Sequence, residues 1–180
     1  FDLGGLGDFE KDQSFSYGAW VRVPTAKASG IIARMDEQAK FRGWDLMQEN
    51  GEFAVHLIQE WPINAIKVIT TGAQVKVGKW QHVFVTYDGT AKPEGIKIYV
   101  NGAETKLTVA TNNIKPDATI RTKTPLRVGQ RSQGLVFEGG SVQDVRIYDH
   151  QLSPQDVKTI GEAAPLQDIF SIAQTDRSKE

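Results

Sequence analysis

Three dipeptides constrain this chain more than anything else in it: Asn50-Gly51, Asp88-Gly89 and Asn101-Gly102. Asn, Asp and Gly tolerate the positive φ that tight turns demand, so each pair beside an apolar run marks a reversal of the chain. The runs themselves are short and alternating. They cover residues 15–23, 30–35, 43–48, 52–58, 65–72, 79–87, 95–102, 125–130 and 140–149. Many short strands with regular turn punctuation predict a two-sheet antiparallel sandwich. Helix is expected only near the C-terminus. There Ser153 is placed as N-cap, Pro154 opens the helix, Asp156 completes a capping box, and Gly161 ends the segment.

Bulk properties exclude several function classes. The 180 residues suffice for a self-supporting core. Lys and Arg number 21 against 22 Asp and Glu, which leaves no basic footprint for nucleic acid. No apolar run is long enough to span a bilayer. Cysteine is absent, and with it disulfides, thiolate nucleophiles and Cys-based zinc sites. The chain opens on Phe1 without Met or a signal-peptide pattern, as expected of a piece of something longer.

The run at 79–87 carries His82, and Asp88 follows it. Alternation puts Trp80, His82, Phe84 and Thr86 on one face and Gln81, Val83, Val85 and Tyr87 on the other. Both faces hold apolar residues, which describes a central strand covered on both sides. His82 is therefore expected to be structural, and Asp88 belongs to the turn. No Ser sits in a Gly-x-Ser-x-Gly elbow, and His56, His82 and His150 lack metal-ligand spacing. Asp8, Glu10 and Asp12 alternate, but Gln13 and Ala19 stand where an EF-hand loop requires Gly and Glu.

Read together, FSYGAWVRV, GKWQHVFVTYDGT, GIKIYVNGAE, PLRVGQ and VQDVRIYDHQLSPQDV resemble, in order, the laminin-G-like domains of the concanavalin A-like lectin/glucanase superfamily. The stretch between residues 30 and 70 is similar to the variant carried within large secreted planctomycete proteins that also hold cytochrome c-like modules. The resemblance implies a jelly-roll sandwich, a periplasmic or extracellular setting, glycan or extracellular protein ligands, and other domains in a parent chain. It also implies a structural calcium ion in many members. The acidic position preceding the VRIY run in the family is Gln143 here, and Asp144 comes one place later, on the opposite face of a regular strand. Gln143 and Asp8 are the metal candidates.

Glycoside hydrolysis needs two carboxyls facing one sugar, and glucanases of this superfamily supply them as a Glu-x-Asp-x-Glu-like run on one strand. No such run is present. Glu49 and Glu52 flank a turn, and Asp36 and Glu37 are adjacent in a polar loop, where their side chains diverge. A non-catalytic module is expected. Sugar binding relies on an aromatic platform with planar polar groups around it. Trp20 and Trp80 lie among apolar neighbours and are expected in the core. Trp61 precedes Pro62 in a loop, and Trp44 opens a strand. With Arg34, Arg42, Asp45, His56, Gln59 and Asn64 they form the candidate ligand site. The alternative for Trp61 is a cap over the core under a long connection, in a domain that serves structure or protein docking.

Two segments are expected, a sandwich over residues 1–164 and a helical tail or linker over 165–180. In the tail Leu166, Ile169, Phe170 and Ala173 fall in one apolar stripe. Docking of that stripe on the sandwich would make truncation after Ala164 lower the melting temperature.

Overall fold

The computed structural model describes residues 1–162, so the expectation for the tail stripe lies outside the described residues. The strands are β1 (Phe15–Arg22), β2 (Ser29–Asp36), β3 (Arg42–Glu49), β4 (Glu52–Glu60), β5 (Asn64–Thr70), β6 (Trp80–Tyr87), β7 (Ile96–Val100), β8 (Ala103–Glu104), β9 (Leu107–Asn112), β10 (Arg127–Val128) and β11 (Ser141–Tyr148). Among the described residues one α-helix, α1 (Pro154–Gly161), follows. The strands form two antiparallel sheets, ordered β11-β1-β6-β7-β8 and β10-β2-β3-β4-β5-β9. This is the all-β jelly-roll sandwich expected. β8 and β9 are additions to the expected strands, and the run at 125–130 contributes only the two residues of β10.

The tight turns set the geometry. Asn50 and Gly51 have φ of 53° and 83°, and Asn101 and Gly102 have 52° and 76°. The two-residue loop at 50–51 pairs Glu49 with Glu52, Met47 with Ala54, and Asp45 with His56. Because side chains alternate, this register sends Trp44, Leu46, Phe53, Val55 and Leu57 inward to the core between the sheets. Phe15 and Tyr17 on β1 and Tyr87 on β6 meet them from the other sheet. Phe9, from the N-terminal segment, stacks on Phe15 with centroids 4.4 Å apart and closes the aromatic cluster around Trp44.

Two smaller apolar clusters lie on the outer faces. Ala33, Met35, Ile58 and Ala65 form one on the six-stranded sheet, with Phe41 and Trp61 packed on it. Phe84, Tyr99, Leu152 and Val157 form the other, where α1 covers the five-stranded sheet. The capping box of α1 is complete: Ser153 Oγ accepts from Asp156 N, and Asp156 Oδ2 accepts from Ser153 N, both at 3.2 Å. β6 lies in the middle of its sheet, covered on both faces. His82 is a buried structural residue there, 1% exposed. Trp20 is buried as expected, but on the α1 side of its sheet rather than between the sheets, whereas Trp80 is only half-buried at the strand end.

A candidate ligand site on the outer face of the six-stranded sheet

Strand pairing builds the site. Ala33, Asp45, His56 and Lys67 are direct partners across β2, β3, β4 and β5, so their side chains stand in one row on the outer face. Asp45 is fully buried, and its surroundings explain how a carboxylate survives there. His56 Nδ1 lies 2.8 Å from Asp45 Oδ1, and the His56 backbone N–H donates to the same oxygen at 3.2 Å. Arg131 Nε stands 2.7 Å from Asp45 Oδ2, a charge contact without the alignment of a hydrogen bond. Burial pushes the Asp45 carboxyl upward. The Arg131 charge, then the His56 charge and the bond from His56, outweigh that and hold it below the ordinary carboxylate value. An ionised Asp45 can only accept, so His56 Nδ1 carries the hydrogen toward it.

Trp61 stands over this row, half-buried and edge-on to His56 at 5.4 Å. Lys67 Nζ lies 5.9 Å from the Trp61 ring and pairs with Glu49. The Arg131 guanidinium lies 5.3 Å from the Phe41 ring. His56, Trp61, Lys67, Glu49, Phe41 and Arg131 line a shallow groove of about 290 Å³ above the buried Asp45, at the small end of ligand sites. Its walls are aromatic and its floor holds charges already neutralised in pairs. Such a surface suits a neutral polyhydroxylated ligand, whose C–H faces stack on rings while hydroxyls meet fixed polar groups.

The expected site residues divide. Asp45, His56 and Trp61 converge here. Trp44 does not: its parity with Leu46 turns it inward, it is 0% exposed, and its Nε1 donates to Gly7 O at 2.9 Å. A residue in that position offers no platform, which corrects the expectation. Arg34 also faces away from the groove. It clamps the N-terminal segment, with Nη1 donating to Leu6 O at 3.0 Å and Nη2 to Thr122 O at 2.8 Å and to Asp8 at 3.3 Å. Arg42 shares the parity of Trp44, with its Nε buried and unpartnered. Gln59 and Asn64 hold the loop after β9: Gln59 Oε1 accepts from Thr119 N at 2.8 Å, and Asn64 Oδ1 from Lys115 N at 2.9 Å. Lys67, Glu49, Phe41 and Arg131 were not anticipated.

Asp8 and Gln143 are not gathered into one donor set. Asp8 is tied to Arg34 of the six-stranded sheet, and Gln143 sits on β11 of the other, opposite Trp20. Asp144, at φ 51° in a bulge of β11, holds Arg146 at 2.9 Å. Among the described residues, no group of three or more His, Cys, Asp or Glu side chains could hold a metal ion, and no helix is long and apolar enough to cross a membrane. Asp8 and Gln143 therefore do not share one calcium site.

A larger groove, of about 870 Å³, runs beside β11 and is lined by Leu3, Leu6, Phe9, Val142, Val145 and Ile147, among others. Asp149 brings the one charged side chain among the residues that line it. It lacks the convergent polar groups of the smaller groove, so the chemistry points to the latter despite its size.

Comparison with known proteins agrees with the fold. A laminin G profile of the concanavalin A-like lectin/glucanases superfamily matches residues 2–158. The binding domain of Paraclostridial Mosquitocidal Protein 1 superposes with a TM-score of 0.66 at 16% identity, over 89% of this chain and 39% of that one. The botulinum neurotoxin serotype D ligand binding domain, solved in complex with N-acetylneuraminic acid, gives 0.61 at 17% identity, over 89% and 38%. This chain thus spans less than two fifths of either domain.

Proposed function

Because the chain belongs to the concanavalin A-like lectin/glucanase superfamily, we propose that it is a non-catalytic binding module for carbohydrate, one part of a longer secreted protein. The observation that carries this reading is Trp61, an aromatic face left half-open above paired charges. Similarity to a domain solved with a sugar adds support at the level of fold. The acidic residues argue against hydrolysis. Asp45 is sealed by Arg131 and His56. Glu49, on the same face of β3 four residues along, is held by Lys67. No reducing sugar should be released from β-glucans. Release abolished by a single Glu substitution would overturn the non-catalytic reading.

The test of binding is a glycan array on the isolated domain, with and without calcium, followed by titration of the best ligand. Trp61→Ala should weaken binding at least tenfold while the melting temperature stays within a few degrees, since the ring is not part of the main core. Binding that survives this change would move the site elsewhere. A second reading, protein docking without a small-ligand site, is favoured by the apolar groove along β11. An empty glycan array together with capture of a protein ligand abolished by Val145→Lys would select it.

A further inference from the structure

His82 sits beneath α1, on the face of the sandwich away from the ligand groove. Its ring lies between Trp20, with centroids 5.5 Å apart, and Phe84, stacked at 5.4 Å and 17°. Neither ring nitrogen has a hydrogen-bond partner among the described residues, nor does the adjacent Trp20 Nε1. Gly161, the last residue of α1, closes the space: a Cβ there would stand 2.8 Å from His82 Nδ1. The main chain is pinned independently, since Asn101 Oδ1 accepts from His82 N at 2.9 Å and Asn101 N donates to His82 O at 2.7 Å. A buried histidine with both nitrogens idle is tolerable only while neutral, because a charged imidazolium would need an acceptor or water.

We propose that His82 is an acid-sensitive latch for α1, protonation of the ring driving the helix off the five-stranded sheet so that water can reach the imidazolium. Among the described residues the charged groups around it supply no spare anion. From β11 come Asp144 and Arg146, paired at 2.9 Å; from the end of α1 come Lys158 and Glu162, 3.9 Å apart. β1 contributes Trp20, β6 itself Phe84, and the β7–β8 turn Asn101 and Gly102, none of which ionises in this range. The helix is held by few apolar contacts, chiefly Val157 and Ile160 on Phe84 and Tyr99. At eight residues it cannot persist alone in water.

Burial pushes the His82 ring down to about 4, with Asp144 opposing that shift and Arg146 adding to it. An exposed histidine titrates near ~6.5, so the undocked state takes up its proton first as pH falls. Docking is therefore full above about pH 6.5 and weakens progressively toward pH 4, where the docked state protonates as well. Between pH 7.5 and 5 the docking constant should fall by about 30-fold.

Hydrogen exchange of the α1 amides in the full chain, corrected for the intrinsic pH dependence of exchange, reads this directly. Wild-type protection should fall by about 30-fold between pH 7.5 and 5, whereas His82→Phe should keep its protection. Equal losses in the two proteins, or no loss in wild type, would overturn the latch. If the variant does not fold at pH 7.5, NMR titration of the wild-type imidazole replaces it. A ring titrating far below its free value, with the α1 resonances moving in step, supports the latch. A ring titrating near its free value with α1 unmoved refutes it.

Discussion

Asp45 shows how much one residue of the groove depends on its partners. Its carboxylate is buried, hydrogen-bonded by His56 and in charge contact with Arg131, and the pair with Arg131 is itself largely out of water. A buried pair of this kind contributes little net stability, but removing one partner strands the other charge. Asp45→Asn should thus cost about 3–5 kcal/mol in urea unfolding, whereas Trp61→Ala should cost far less. Equal costs would show that Arg131 finds a new partner. The sequence makes Asp45 and His56 legible as a pair, since the turn at 50–51 places any two positions summing to 101 opposite each other. It hides Arg131, which arrives from a loop without periodicity 75 positions beyond His56. Trp44 misleads because a strand start reads as an exposed end. Only the packing of Phe9 and Gly7 over it turns that end into core.

Among the elements, the hairpins carry the sharpest expectations. Gly51 and Gly102 both sit at positive φ, where a β-branched residue is strained by about 1–3 kcal/mol. Gly51→Val should show that strain alone, because its surroundings are open apart from Ala73. Gly102→Val should lower the melting temperature further, because a Cβ there comes within 3.2 Å of Lys158 Cα and would push on α1. Equal shifts in both variants would mean that α1 yields freely. The helix was readable in advance because its cap is local, four consecutive residues exchanging hydrogen bonds among themselves. β9 was not. Its residues are mostly exposed, and it becomes a strand by pairing with β5, a long-range event that the brief alternation of Leu107 and Val109 does not announce by itself.

For the molecule as a whole, the N-terminal segment ties the sheets together. Residues 1–9 exchange backbone hydrogen bonds with 126–128, receive the Arg34 clamp, accept from Trp44 Nε1 and supply Phe9 to the core. Deleting residues 1–9 should cost about 3 kcal/mol or more in thermal unfolding, through the lost Phe9 packing and the orphaned indole. A deletion that melts with the intact chain would show that the aromatic core closes without it. The row Ala33–Asp45–His56–Lys67 has a different implication, for how such a domain can change. A single-residue insertion in β4 would turn His56 into the core and an apolar neighbour out to water, so recognition and folding would fail together. The parts that reach over the row, residues 61–63 and 129–135, belong to loops and, apart from the Arg131 that Asp45 requires, face no such veto. New specificities on this scaffold should accordingly arise by rewriting those two loops, with the strand lettering beneath them left untouched.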